Sequence, residues 1–453
     1  MIKRCILLGL FVAFACSDGA PQYLDRAAMM DPAACKDCHE QHYIEWSGSM
    51  HAYASKDPVF LAMNARGQRE TNGALGDFCV QCHAPLALRL GLTTDGLNLA
   101  DVPEYAQGIT CFFCHTVEAV EGSHNAPLRL SGDLVMRGGY DDPVPNTAHA
   151  SKYSSLLDRN SKDSADLCGS CHDIVTPSGV HLERTFLEWK ESLFANENIA
   201  PPQTCGDCHM AGRNDVAADY DGVFLRRVHD HKMVGVDTAL TPFPEMESQL
   251  AAIEKDLSTT VYARICVYDD EEPARVRVLL ENMAAGHSWP SGATQDRRAW
   301  VEVVAYGADD EVIFESGVVA KGQPLTELDD PNLWRIGDRT YNAAGEEVHM
   351  FWEVDSVVSN LLEAPNTFNV LDPEYKDVHQ EREYILGDVK PERVKMRVRI
   401  RSMGLDLLDD LIASGDLDPA IRDQIPTFTL GTTQLTWTPD AGKVCIPEDH
   451  TDP

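Results

Sequence analysis

Five times between residues 35 and 209 the chain repeats one pattern, Cys-x-x-Cys-His. The copies are Cys35-Lys36-Asp37-Cys38-His39, Cys79-Val80-Gln81-Cys82-His83, Cys111-Phe112-Phe113-Cys114-His115, Cys168-Gly169-Ser170-Cys171-His172 and Cys205-Gly206-Asp207-Cys208-His209. Two thiols at this spacing reach the two vinyl groups of one porphyrin, and the histidine next in line offers its imidazole to the iron. Zinc sites also use paired cysteines, but nothing in them requires a histidine after every second one. The pattern therefore predicts five covalent haem c groups. Cys35, Cys38, Cys79, Cys82, Cys111, Cys114, Cys168, Cys171, Cys205 and Cys208 are the attachment points, and His39, His83, His115, His172 and His209 the proximal ligands. Cys35 to His209 spans 175 residues, or 35 for each porphyrin. A segment that small builds little aliphatic core of its own. The macrocycles must supply the apolar interior, and such crowding puts neighbours within electron-transfer reach.

The remaining cysteines fix the compartment. Of the 14, Cys5 lies in an apolar run of 11 residues, Cys5 to Ala15, that follows Lys3 and Arg4. The run is too short to span a bilayer but suits an export signal. It ends Ala13-Phe14-Ala15-Cys16, which resembles a bacterial lipobox with Ala13 as a variant, and Cys16 is the expected lipidated residue. Ordinary signal cleavage near Ala20 is the alternative. Cys266 and Cys445 are left over. An even remainder in an oxidising compartment predicts one disulfide, with two buried thiols as the alternative. The net charge of −34 argues against nucleic acid and anionic lipid as partners and favours cationic ones. No later stretch approaches the roughly 18 apolar residues of a membrane helix.

The reading along the chain is a multi-domain one. Residues 1–15 are the signal, 16–30 a linker and 31–240 a haem-dominated cytochrome domain of short helices and irregular loops. Within it, Gln41 to Ala54 reads as a helical run, and Phe186, Trp189 and Leu193 mark one face of a helix. Thr241-Pro242-Phe243-Pro244 opens a boundary, and 241–258 reads as a second linker. From 259 to 453 the texture changes to alternation, as in Val276, Val278 and Leu280, and in Val394, Met396, Val398 and Ile400. One wet face per strand and no long intervening helix predict an antiparallel β-sandwich-like domain, with an irregular insertion near 320–390.

An electron-transfer haem commonly takes two axial ligands. Eleven histidines remain beyond the five proximal ones. His51, His149, His231 and His287 are the expected distal ligands, from their placement after haem sites or in a Gly- and Pro-bounded loop. His42, His124, His181 and His229 compete for a fifth place, and methionine is the less favoured choice.

These residues carry a family resemblance. Cys35 through Ala52, CxxCHxxxYxxWxxSxHA, resembles the first site of multihaem cytochromes of the cytochrome c-554 type. So does the stretch from CGSCH through the Glu-Trp helix to CGDCHM, Cys168 through Met210. The loop Gly286-His287-Ser288-Trp289-Pro290-Ser291-Gly292 is similar to the GHxxPTG loop of larger bacterial multihaem cytochromes with an appended β domain. The resemblance implies an exported electron carrier with mainly bis-His haems, in which His51 and His287 match distal ligands. Relatives with four sites do not dictate the pairing in a chain with five. The expected function is electron transfer between periplasmic or cell-surface redox proteins, with a place in a larger complex as a further option. The alternative is an oxidoreductase acting on a small nitrogen or sulfur species at a haem with an open axial position.

Overall fold

The computed structural model describes residues 23–442 and 445–447. The expected signal and the lipid site at Cys16 lie outside these residues. Up to about residue 240 the chain folds into short helices, two-stranded hairpins and loops. Among the described residues, the one departure from antiparallel pairing is Val135–Gly138 beside Ala150–Tyr153, which run parallel.

Each Cys-x-x-Cys-His segment closes a turn of helix. The His39, His83 and His172 amides donate to the carbonyls of Cys35, Cys79 and Cys168, at 2.9, 3.1 and 3.1 Å. The other two segments lie within helices Cys111–Thr116 and Cys205–His209. A helical turn stacks residues three and four apart on one side, so both thiols and the histidine address the same space. The sequence caps these turns. Thr110 Oγ1 accepts from the Phe113 amide, and Thr204 with Asp207 forms a capping box. The helical run after His39 divides into Glu40–Ser47 and Met50–Tyr53, with Ser49 capping the second. The aromatic helix is Thr185–Glu191, ending before Leu193.

Segment 241–258, expected as a linker, carries the helix Met246–Leu257, whose Ile253 and Leu257 are buried. Beyond it, two antiparallel sheets share one core. The first orders strands His379–Gly387, Ala274–Glu281 and Tyr262–Tyr268. The second is built on Arg298–Tyr306 paired with Arg393–Arg401, in register from Arg298 opposite Arg401 to Tyr306 opposite Arg393. Val276, Val278 and Leu280 of one sheet and Val301, Val303, Val394, Met396 and Val398 of the other are buried together. The alternation read from the sequence thus faces the core. Cys266 and Cys445 form the expected disulfide, which ties the C-terminal segment to strand Tyr262–Tyr268.

The stretch 320–390 is less irregular than its composition suggests. Trp334–Ile336 pairs with the central strand Arg298–Tyr306, and His379–Gly387 forms a sheet edge against Ala274–Glu281. That edge strand reads His-Gln-Glu-Arg-Glu-Tyr-Ile-Leu-Gly and buries only Tyr384 and Leu386. Charges on an edge discourage stray pairing but erase the apolar alternation that reveals a strand.

The two halves are packed together. Leu405, Leu407, Leu408 and Leu411 of helix Leu405–Ala413 share a core with Val59 and Ala62 of helix Pro58–Glu70. Among the described residues no helix is long and apolar enough to cross a membrane.

Candidate functional site

The fold brings the five cysteine pairs next to one another. The Cys35 thiol lies within hydrogen-bonding reach of Cys111, Cys82 of Cys171, and Cys168 of Cys205. Cys114 sits near Cys168 and Cys171. First and third segments, second and fourth, and fourth and fifth are therefore neighbours, joined through the third and fourth. None of the ten is in a disulfide. Burial pushes the Cys79 and Cys114 thiols up to about 12.

The histidines are paired in space. His149 faces His39, His51 faces His172, His231 faces His115 and His287 faces His209, with ring centres 6.3, 6.2, 6.4 and 6.3 Å apart. Metal–imidazole bonds of about 2.0–2.1 Å, plus about 1.1 Å from each nitrogen to its ring centre, put two imidazoles on one ion roughly 6.3 Å apart. Each proximal histidine but one thus has one of the four expected distal histidines at the separation an intervening metal sets.

Ring hydrogen bonds turn the correct nitrogen toward that gap. The Nδ1–H groups of His39, His83, His115 and His209 donate to the carbonyls of Ala217, Ala54, Arg137 and Val234, at 2.7, 3.2, 2.5 and 2.6 Å. Those of His149 and His287 donate to Ala150 and Ser288, at 3.2 and 2.9 Å. A carbonyl only accepts, so Nδ1 carries the proton and Nε2 keeps the lone pair a metal needs. Burial favours the neutral ring at His39, His51, His287 and His231: it pushes the first three down to about 4, and His231 well below its ordinary value. The donor set and its orientation fit an iron porphyrin. Cys pairs would attach it, one imidazole from each segment would bind the iron, and a second would close the opposite face.

Local sequence explains how the expected distal histidines are placed. His51 lies on helix Met50–Tyr53, and its carbonyl accepts from the Ile109 amide at 2.9 Å. That approach requires Gly108, whose φ is +67° and whose place would put a Cβ 2.6 Å from the His51 carbonyl. His287 sits in a loop of the β unit that is fastened to helix Thr185–Glu191. The Ser288 amide donates to Glu188, and Thr185 Oγ1 lies 2.7 Å from Ser291 Oγ.

His83 stands apart. Among the described residues the ring against it is Phe60, stacked at 4.0 Å and 2°, and no histidine ring pairs with it. The four competitors for a fifth distal place lie elsewhere. His42 stacks on His231 at 4.6 Å. It is also 6.4 Å from His39, but a residue three positions along cannot pass the porphyrin edge to reach the far face. His124 and His181 lie 6.3 Å from each other, and neither follows a cysteine pair. Burial pushes His229 down to about 4.

One group escaped the sequence reading. Glu45 is buried beside His42 and His231 and pairs with Arg213. Its position three residues after His42, on the inner face of a short helix, was the only available signal.

Residues 34–116 match the family described as cytochrome c554 and c-prime. No curated protein matches the chain by sequence. Among solved structures, the chain is similar to a penta-heme cytochrome c552 from Thermochromatium tepidum, with a TM-score of 0.61 and 20% identity over 90% of this chain and 98% of that one. That likeness shows a shared fold across both halves. The chain thus carries a segment similar to the cytochrome c554 family, shares its fold with a penta-heme cytochrome, and sets buried imidazoles at metal-bridging distance around paired thiols.

Proposed function

We propose that the protein carries electrons between exported redox partners through five covalently attached c-type haems, four of them held by two histidines. Each haem, when bound, supplies a one-electron iron couple. The chain does the rest. Five cysteine pairs would hold the porphyrins, and the neighbouring segments would bring them close to one another. His39 with His149, His115 with His231, His172 with His51 and His209 with His287 would hold the irons. Rigid, neutral imidazoles on both faces keep the coordination unchanged between oxidation states, which favours fast exchange with little rearrangement. The observation that carries this reading is the set of four proximal–distal pairs at 6.2–6.4 Å. The penta-heme description of the similar cytochrome c552 supports the count.

The electron partners are expected to be basic proteins, because the chain carries a net charge of −34. Export, with a lipid on Cys16 as anchor, completes the proposed setting. The mass of the matured protein tests the count directly. Five haems beyond the polypeptide support the reading, and fewer overturn it.

One observation favours a second reading at a single position. Phe60, not a histidine, is the ring beside His83. A haem there with an open face could take a small nitrogen or sulfur species. Carbon monoxide added to the reduced protein distinguishes the two: binding at one haem supports the open site, and no binding leaves the carrier reading alone.

A further inference from the structure

We infer that Glu45 tunes the haem attached at Cys111 and Cys114, by holding a buried carboxylate charge beside the ligand imidazole of His231, and makes that centre more reducing. The inference rests on the reading that His231 is the distal ligand opposite His115.

The ring nitrogens facing away from iron are not treated alike. Six of the paired or proximal imidazoles give their Nδ1–H to neutral backbone carbonyls. His51 turns its Nδ1 to the thioether of Met233, a weak acceptor. The Nδ1 of His231 is buried and meets no acceptor in full hydrogen-bond geometry, with the His229 carbonyl beside it. The ligand atoms of His42, Glu45 and His231 lie within 4.8 Å of one another. Glu45 Oε2 already accepts the backbone amide of His231 at 3.1 Å, so the carboxylate is fixed on that loop.

Glu45 is built in, not adventitious. Its side chain is 4% exposed, although it carries a charge. Gln41 Nε2 donates to it at 3.0 Å, and the Arg213 guanidinium pairs with it. His42 Nδ1 lies 3.6 Å away and stacks its ring on His231. Burying a carboxylate beside a ligand is costly unless such partners are present. A nearby negative charge favours the more positive, ferric iron. Arg213 opposes the charge in part and holds the carboxylate in place. Glu45 thus acts by its charge beside His231 and touches neither substrate nor iron.

A redox titration of the matured protein, resolved by visible and electron paramagnetic resonance spectra, tests this. In Glu45→Gln, one midpoint should rise, changing that haem's oxidised-to-reduced ratio on the order of tenfold at fixed potential, or about 59 mV for one electron. Glu45→Asp should keep most of the effect. Arg213→Gln, which strips the counter-charge, should move the same midpoint the other way. Glu40→Gln removes an exposed charge from the same helix and should move nothing comparably. The inference is overturned if Glu45→Gln leaves every midpoint in place, or shifts all of them as Glu40→Gln does. Should Glu45→Gln fail to mature, Arg213→Gln decides alone, and an unchanged or raised midpoint overturns the inference. His231→Met separates this from the underlying reading. An unaltered low-spin spectrum removes His231 as a ligand, whereas an altered one with an unmoved Glu45→Gln midpoint removes only the role of Glu45.

Discussion

Single imidazoles carry most of the chemistry here, and their surroundings differ enough to separate them by mutation. His287 belongs to the β unit in sequence but faces His209 of the haem segment at 6.3 Å. Replacing it with Ala should convert one low-spin haem to high spin and leave the other bis-His centres unchanged; the electron paramagnetic resonance spectrum reads this directly, and an unaltered spectrum would remove His287 as a ligand. His349 titrates for a different reason. Its ring lies 3.4 Å from Asp406 and 3.2 Å from Asp410, and the Asp406 partner raises its affinity for a proton above the ordinary value of 6.5. A raised folded value means the added stability is complete below about pH 6.5 and fades as pH rises through the folded value. Solvent reaches part of the ring, so the size is below about 1 kcal/mol. The melting temperature of His349→Gln should match wild type at high pH and fall below it toward pH 6.

Between residues and the whole molecule, close approaches of short elements decide the result. Gly169 of the fourth Cys-x-x-Cys-His segment sits against the Phe186 ring of the aromatic helix, where an added Cβ would lie 2.2 Å from the ring. Gly169→Ala forces helix Asp163–Gly169 and helix Thr185–Glu191 apart. Overpacking of this kind costs on the order of 1–3 kcal/mol. The expected outcomes are a lower melting temperature and reduced haem incorporation at Cys168 and Cys171, read by melting and by peptide mass. The helix Leu405–Ala413 shows the complementary case. Its leucines cover Val59 and Ala62 of helix Pro58–Glu70, so an element distant in sequence supplies apolar surface that the haem segment lacks.

Taken as a whole, the molecule is an acidic body whose two halves are bolted at several points. Arg297 pairs with Asp237 at 2.9 Å, Arg69 with Asp416, and the Leu193 amide donates to Pro365 at 2.8 Å. These contacts make the β unit a fixed wall of the haem segment. The charge of −34 acts at longer range. Association with a basic redox protein should slow steeply between low and physiological salt, as the Debye length falls from about 30 to about 8 Å. Stopped-flow rates across that range check this, and a salt-independent rate would point to an apolar docking surface.

Much was legible from the sequence because chemistry and periodicity are local. Two thiols, two spacers and a histidine suffice to mark a haem segment, and alternation over seven residues suffices for Val394 to Ile400. The cysteine arithmetic likewise yielded Cys266 and Cys445. His51, His149, His231 and His287 could be nominated from their settings, but not matched to partners, since that match depends on loops brought together from up to 121 residues apart, as for His51 and His172. The strand His379–Gly387 stayed hidden because an edge needs charges where a core strand needs apolar residues. Composition and motif therefore determined the cofactor class, the expected anchors and the two textures of the chain. Tertiary structure alone decided which imidazoles face each other, that His83 meets Phe60, and that a buried glutamate stands behind His231, because these depend on through-space packing that no spacing along the chain encodes.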